Sequence, residues 1–192
     1  MEIILASTSQ YRKALLQKLQ LKFSCHGPDV DETRLANESA KAMALRLAEA
    51  KADDVARHYS SGLIIGSDQT AGLDNDILGK PGNAKNAKAQ LQKCSGKEVV
   101  FYTGLCVIDA ATNKSLSKVE EYRVCFRDLT EQQIENYIAK EAPFDCAGSF
   151  KCEGLGISLF SQLQGRDPNS LVGLPLIALC DLLIEFNMDV LA

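Results

Sequence analysis

The chain has 192 residues, 21 of them Lys or Arg and 25 Asp or Glu, which gives a formal net charge of −4. This length suits one substantial core, or one domain with a small second lobe, and the 46% hydrophobic content is ordinary for a soluble globular protein. The net negative charge would repel nucleic acid, so any polyanion must be bound by a local basic site. The sequence also lacks a basic face with interleaved aromatic residues, and we expect no nucleic-acid partner.

The cysteine and histidine usage excludes several kinds of site. Seven cysteines without a CxxC pair fit neither a disulfide framework nor a zinc site. With His26 and His58 as the only histidines, a His-based triad is weakly supported. The start, MEIILAST, lacks the basic region of a signal peptide, and no stretch approaches the length of a membrane span. We therefore expect a cytoplasmic protein whose chemistry depends on carboxylates, Lys and Arg.

The first element is an apolar run at residues 3–5, followed by a hydroxyl-rich loop and a helical pattern over residues 11–21. Ser7 or Ser9 can cap this helix. Arg12 lies in its first turn, where a positive charge opposes the helix dipole, and this is most easily explained if the side chain faces an anion. The pattern favours a phosphate or other anion site, and the alternative is ordinary Ser capping with a solvated Arg.

Asp68 follows the next apolar run, LIIG at residues 63–66. A run of Leu and Ile that is too short for a helix and ends in Gly predicts a buried strand with Asp68 at its carboxyl end. Enzymes of the α/β class use such a carboxylate to hold a metal or to activate water. The other interpretation is a turn Asp after a Gly, which this stretch alone favours. The remaining motifs bear on the choice.

The rest of the chain contains further predicted helices and strands. We predict a strand at 22–25, a helix at 39–59, a hairpin at 72–78, a helix at 83–94, paired strands at 98–109 and 116–126, a capping-box helix at 130–140, a short strand ending at 160, a loop at 165–170 and an apolar helix at 174–186. Lys80 lies in a loop shaped by Gly and Pro, where it can be held toward an anion. Glu153 lies between glycines that would let a ligand approach the backbone.

An ordered set of motifs runs through nearly the whole chain. They are LASTSQYR at 5–12, VDE at 30–32, GSDQ at 66–69, GKP at 79–81, TG at 103–104, AGSFKCEGLG at 147–156 and NSLVGLP at 169–175. The order and spacing of this set resemble those of the Maf family of nucleoside triphosphate pyrophosphatases. The resemblance implies a single domain over residues 1–192 with an elongated, inosine triphosphatase-like α/β fold. In that fold a mixed twisted sheet is flanked by helices, and two lobes surround a central cleft.

The resemblance also implies an activity and the residues that serve it. The family hydrolyses a nucleoside triphosphate to the monophosphate and pyrophosphate with a divalent metal, usually as a homodimer. By position, Asp68 falls on the catalytic carboxylate, Glu32 and Asp68 on metal-linked acids, and the phosphate-binding groups on Ser7, Arg12, Lys51 and Lys80. Lys51 is singled out by the resemblance alone. Glu32 and Asp68 can hold Mg²⁺ or Mn²⁺ through oxygen ligands.

Three further positions bear on which base is bound. Family members that act on dTTP and UTP carry Arg, Thr and Gln where this chain has Tyr11, Gln69 and Glu153, and this chain resembles the subfamily that hydrolyses 7-methyl-GTP. The family often has Pro-Arg where Gln10 and Tyr11 stand here. A positively charged 7-methylguanine stacks favourably on a Tyr ring, with a gain of about 0.5–2 kcal/mol, and its two N–H donors suit one carboxylate.

Several alternatives remain open at this point. Asp68 either takes the proton from water or acts as a metal ligand that lowers the pKa of the water. Tyr11 can be a surface aromatic of its helix, and Glu153 a solvated loop acid. The nearest rival function is the same hydrolysis of dTTP, UTP or another modified nucleotide. A rival from a different class is a nucleotide-binding regulator of cell division with little turnover.

Overall fold

The computed structural model describes residues 2–74 and 76–192, and these residues form six α-helices and seven strands. The helices are α1 (Gln10–Gln17), α2 (Ala40–Ala56), α3 (Ala84–Cys94), α4 (Glu131–Glu141), α5 (Pro168–Val172) and α6 (Leu176–Glu185). The strands are β1 (Ile3–Leu5), β2 (Phe23–Cys25), β3 (Leu63–Leu73), β4 (Asp76–Leu78), β5 (Glu98–Asp109), β6 (Ser115–Phe126) and β7 (Phe160–Gly165). No helix in these two described stretches is long and apolar enough to cross a bilayer.

The strands form one mixed sheet in the order β2-β1-β3-β5-β6-β7, with β4 paired to β3. Strand β1 runs parallel to β2 and β3, whereas β3 with β4 and β6 with β7 are antiparallel. The predicted α/β class with a mixed sheet is therefore confirmed. The chain divides into two compact units. The first consists of Met1–Gln69, Thr103–Glu120 and Asp167–Ala192, and the second of Thr70–Tyr102 and Glu121–Arg166.

In the first unit, side chains alternate between the two faces of the sheet, as extended strands require. One face packs against α1 and α6 through Ile3, Leu5, Leu63, Ile65, Leu105, Val107, Leu15, Leu16, Leu179 and Leu183. The other face packs against α2 through Ile4, Ala6, Ile64, Cys106, Ile108, Ala48, Ala52 and Val55. Within residues 63–65 of β3 and 105–108 of β5, odd-numbered side chains thus face α1 and α6, and even-numbered ones face α2.

The second unit is built around α3, α4 and an aromatic cluster. Phe150 contacts Phe101, Phe126 and Phe160 edge to face, with ring centroids 5.2, 5.8 and 4.8 Å away, an arrangement that aromatic rings favour. At the start of α4, the Thr130 side chain accepts a bond from the Gln133 backbone N–H, and the Gln133 side-chain oxygen accepts one from the Thr130 backbone N–H. The predicted capping box is confirmed.

The prediction that Asp68 ends a strand is wrong. Strand β3 continues to Leu73, so Asp68 lies inside it. The misleading signal was Gly66, which is not a terminator: a Cβ there would collide with the Ala48 carbonyl and lie 2.8 Å from the Ala52 Cβ. A Cβ added at Gly104 of β5 would collide with the Ala44 carbonyl oxygen. Both glycines are needed because α2 lies directly on the strands.

The elements between residues 155 and 172 also differ from the prediction. A 3-10 helix, Leu155–Leu159, occupies the place of the expected strand, and β7 begins where that strand was expected to end. The expected loop contains α5, which starts with Pro168 and is capped by the Asp167 side chain, which accepts a bond from Asn169 N at 2.8 Å. A Pro at the first helical position after an Asp cap is a start signal that the loop interpretation overlooked.

Candidate active site

The loop after β1 forms one side of the candidate site. Strand β1 ends at Leu5, opposite Ile65 of β3, and α1 begins a few residues later. Ser9 Oγ accepts the bond from Arg12 N at 3.4 Å, which makes Ser9 the helix cap. Ser7 Oγ accepts from Ser9 N at 3.1 Å, and Ser7 is buried. Ser7 therefore shapes the loop, while Ser9 is the cap of the two candidates.

A buried ion cluster lies where α2 crosses β3. The Lys51 ammonium is 2.7 Å from Asp68 Oδ1 and 2.6 Å from Glu32 Oε1. Lys51 is 6% exposed and Asp68 7%, whereas the Glu32 side chain is 58% exposed. A buried charge needs a partner of opposite sign, so the two carboxylates explain how the Lys51 ammonium can be buried. The three side chains come from α2, β3 and the loop before α2.

Arg12 adds a second cation to this cluster. Its Nε donates to the carbonyl of Gly173 at 2.9 Å. Burial lowers the pKa of Arg12, and the negative charges of Asp68 and Glu32 oppose that shift. An Arg remains protonated at neutral pH even after a downward shift. The first unit thus brings two cations and two carboxylates together.

The side chains of Ser67 and Gln69, the neighbours of Asp68 in β3, lie on the opposite face of the sheet from Asp68. Ser67 Oγ lies 2.7 Å from the Gly104 carbonyl and 3.0 Å from that of Gly173. Gln69 Nε2 donates to the carbonyl oxygens of Ser170, at 2.7 Å, and of its neighbour Leu171, at 3.1 Å. These carbonyl acceptors fix the nitrogen end of the Gln69 amide against α5. Asp68 thus faces α2, and Gln69 faces α5.

The remaining predicted site residues are placed separately. Tyr11 lies on α1 of the first unit and is 37% exposed. Lys80 and Glu153 belong to the second unit, and both are exposed. Glu153 Oε2 lies 3.4 Å from Cys152 Sγ, which donates to it. The cluster of the first unit therefore contains four predicted residues, namely Arg12, Glu32, Lys51 and Asp68.

One supporting contact was not foreseen in the sequence. Arg46 of α2 binds both carboxylate oxygens of Glu38, at 2.6 and 2.9 Å, and donates to the Thr33 carbonyl at 3.1 Å. The bond from Arg46 lowers the pKa of Glu38 to about 2. These contacts tie the segment that carries Glu32 to the helix that carries Lys51. No spacing rule predicts a bond between a loop and a helix eight residues apart.

The two carboxylates of the cluster fit a divalent metal. Over residues 2–74 and 76–192, no three His, Cys, Asp or Glu residues form a group that could hold a metal by themselves. Mg²⁺ and Mn²⁺ do not need such a group, because these ions are often bound by one or two carboxylates together with substrate phosphates and water. Glu32 and Asp68 both approach the same ammonium. The donor set therefore fits a metal that binds with the substrate.

Comparison with known proteins assigns the family. The model of the Maf-like protein family matches residues 2–186, and the chain belongs to this family. A relative from Colwellia psychrerythraea that carries the name 7-methyl-GTP pyrophosphatase is 54% identical over 190 residues, which cover 99% of this chain and 95% of the relative. The resemblance inferred from the ordered motifs is confirmed.

Two solved structures are similar to part of this chain. The Ham1 protein of Staphylococcus aureus has a TM-score of 0.49 and 15% identity, and the similarity covers 67% of this chain and 73% of that chain. A HAM1 protein from Coxiella burnetii has a TM-score of 0.46 and 15% identity, with 66% and 73% covered.

Proposed function

We propose that this protein hydrolyses 7-methyl-GTP to 7-methyl-GMP and pyrophosphate. The observation that carries the proposal is the 54% identity, over 99% of this chain, to a relative named 7-methyl-GTP pyrophosphatase. The ion cluster of the first unit supports it, because hydrolysis of a triphosphate requires cations for the phosphates and a carboxylate that acts on water.

Arg12 is the principal phosphate-binding group in this proposal. Pyrophosphate gains negative charge as the α–β anhydride bond breaks, so cations placed at the departing phosphates lower the barrier. With Nε bonded to Gly173, the two Nη groups are the donors that we assign to phosphate oxygens. Ser7, Lys51 and Lys80 complete the proposed phosphate-binding set.

Asp68 acts on the attacking water. Its Oδ1 accepts from Lys51, so we assign Oδ2 to the water, either as the acceptor of its proton or as a metal ligand. Glu32 and Asp68 would hold Mg²⁺ or Mn²⁺. When bound, such an ion stabilises charge on phosphoryl oxygens and lowers the pKa of bound water. Lys51 holds Asp68 in place from α2.

Tyr11, Gln69 and Glu153 are the proposed base-recognition residues. The partly exposed ring of Tyr11 suits stacking on the positively charged 7-methylguanine, with a gain of about 0.5–2 kcal/mol. Glu153 is exposed, and its carboxylate can accept the base N1–H and N2–H together. Gln69 can offer only its Oε1 acceptor, because α5 holds its amide nitrogen.

The setting of the enzyme is part of the same proposal. We propose that it works in the cytoplasm as a homodimer, in line with what the sequence resemblance implies. Size-exclusion chromatography with light scattering, at several protein concentrations, measures the oligomeric state directly. A mass of one chain at every concentration would reject the dimer and leave the proposed reaction intact.

A substrate panel tests the reaction. 7-Methyl-GTP, GTP, dTTP and UTP are incubated with the enzyme, with Mg²⁺, with Mn²⁺ and after chelation, and pyrophosphate release is measured. We expect the highest kcat/KM for 7-methyl-GTP, and loss of turnover on chelation that either metal restores. Equal or faster turnover of dTTP or UTP would reject the base assignment, and full activity after chelation would reject the metal.

A further inference from the structure

The carbonyl oxygen of Gly173 joins three elements of the first unit. Gly173 caps the C-terminus of α5 with φ +117°, a left-handed conformation that favours glycine. Its carbonyl accepts Arg12 Nε from α1 at 2.9 Å and lies 3.0 Å from Ser67 Oγ of β3. The single Ser67 hydrogen is shared between this oxygen and the Gly104 carbonyl, which lies 2.7 Å from Ser67 Oγ. Arg12 and Ser67 consequently meet through this single atom.

The end of α5 is itself fixed to the sheet. Thr103 Oγ1 donates to the Ser170 carbonyl at 2.8 Å, and Gln69 Nε2 donates to the same oxygen at 2.7 Å. The Ser170 carbonyl also accepts the capping N–H of Gly173 at 3.0 Å, and the side chains from β3 and β5 add to this cap. Ser67 and Thr103 are completely buried, which excludes water as a competitor at these bonds. The Gly173 carbonyl is therefore held at a defined position and angle.

This carbonyl determines how Arg12 presents its charge. A guanidinium is planar and rigid, so a bond at Nε sets the plane and direction of the two Nη groups. The negative charges of Asp68 and Glu32 raise the pKa of Arg12 against the lowering by burial, so both carboxylates are within electrostatic range of the guanidinium. An Arg bound at one edge keeps its other edge oriented without loss of rotamer freedom on ligand binding.

We propose that Gly173 and Ser67 are positioning residues of this enzyme, which hold Arg12 through one carbonyl oxygen so that its Nη edge meets the triphosphate. The inference rests on the proposed function for the identity of the ligand. Ser67 and Gly173 act through Arg12, and their effect depends on the presence of the guanidinium. That dependence separates positioning from a purely structural role, since a structural defect would persist without Arg12.

A double-mutant cycle tests the dependence. Ser67→Ala should lower kcat/KM for 7-methyl-GTP about tenfold, and Arg12→Ala about a hundredfold or more. In the Arg12→Ala background, Ser67→Ala should change kcat/KM by no more than about twofold, because the group that it positions is gone. An equal fold-loss in both backgrounds would overturn the proposal.

Two further variants guard against misfolding as the explanation. Gly173→Ala places a Cβ 3.5 Å from Arg12 Nε in a strained backbone and should reproduce the Ser67→Ala loss or exceed it. Ser95→Ala is the matched control: Ser95 Oγ accepts from Leu129 N at 2.7 Å in the second unit, away from Arg12 in sequence and in contacts. It should lower stability while kcat/KM stays within about twofold of wild type. A tenfold loss in this control would show that any lost serine hydroxyl has the effect.

Calorimetry with inorganic pyrophosphate separates this inference from the proposed function. The same four proteins of the Ser67 and Arg12 cycle are titrated, and the coupling is measured on the Kd. Coupling in the Kd with no turnover of any triphosphate by wild type would reject the proposed function and support the positioning. Turnover by wild type with additive effects on both kcat/KM and Kd would reject the positioning and leave the function in place.

Discussion

Lys51 and Asp68 form an ion pair of 2.7 Å that joins α2 to β3 in the interior of the first unit. Both side chains are almost fully buried, so each charge needs nearby charges of opposite sign for compensation. Glu32 completes the cluster from the surface side, 2.6 Å from the same ammonium. Stability and the proposed chemistry are therefore linked at one place in the molecule.

Asp68→Asn should abolish pyrophosphate release while nucleotide binding stays measurable. The amide keeps the size of the carboxylate, but it neither accepts a proton from water nor binds a metal well. The measurements are kcat by pyrophosphate detection and Kd by calorimetry. Asp53→Asn, an exposed residue of α2, is the matched control and should keep wild-type kcat. Retained turnover in Asp68→Asn would remove Asp68 from the mechanism.

Lys51→Met should destabilise the protein by about 3 kcal/mol, because it leaves the Asp68 carboxylate buried without its partner. The double variant Lys51→Met/Asp68→Leu should recover part of this loss, since two apolar side chains carry no uncompensated charge. Urea unfolding at neutral pH measures both. Additive losses in the double variant would mean that the two charges do not compensate one another.

Glu153→Gln should erode the preference for 7-methyl-GTP over GTP. A neutral amide loses the attraction to the positively charged ring and cannot accept both base donors as a carboxylate does. The ratio of kcat/KM for the two nucleotides is the measurement. Glu135→Gln removes an equivalent charge from the second unit, where Glu135 pairs with Lys88, and should leave the ratio unchanged. If Glu153→Gln also leaves it unchanged, Glu153 does not recognise the base.

Glu38→Gln should lower stability at neutral pH, and the difference from wild type should shrink in acid. The bond from Arg46 lowers the pKa of Glu38 from 4.5 to about 2. Stabilisation by this carboxylate is therefore complete above about pH 4.5 and is lost as the pH falls toward 2. Urea unfolding at several pH values measures the difference.

Glu98→Gln is the control for this pH series. Glu98 lies 2.6 Å from Arg123, but both side chains are well exposed to solvent. An exposed pair contributes little to stability. Its substitution should therefore change the unfolding free energy less than Glu38→Gln does at neutral pH. A difference between Glu38→Gln and wild type that is constant from pH 7 to pH 3 would contradict the role of Arg46.

Gly104→Ala should destabilise the first unit by about 3 kcal/mol, because the added Cβ meets the Ala44 carbonyl of α2 and the helix must move away. Gly79→Ala is the control, since a Cβ there has no atom within 4 Å. Denaturant unfolding measures both. A neutral Gly104→Ala would show that α2 can shift at little cost.

The sequence predicted the elements with strong periodicity and caps. Helix α2, the paired strands β5 and β6, and the capping box of α4 all lie where the pattern placed them. Elements with a weak sequence pattern, namely β7 and α5, were not predicted correctly. Strand β7, with the sequence FSQLQG, alternates poorly because much of it is exposed, and α5 is too short to show a helical period.

The sequence could not predict the surroundings of single side chains. Lys51 has the helical context of a solvated Lys, and its burial depends on the position of β3 relative to α2. The sequence predicts that Gln69 contacts the base. In the structure its side-chain nitrogen donates to carbonyl oxygens of α5, which leaves the side-chain oxygen as the atom for a contact with the base. These surroundings depend on contacts between residues far apart in the chain, and the periodicity of neighbouring residues does not predict such contacts.

The close approach of α2 to the strands has a consequence for engineering this family member. Gly66 and Gly104 carry no side chain, yet their missing methyl groups set how far the Lys51 amine must extend to touch Asp68. A designer who wishes to displace that amine by moving α2 away from the strands would substitute a glycine and leave every charged residue as it is. Mutant libraries restricted to polar positions would omit Gly66 and Gly104, the two sites that set the distance between α2 and the strands.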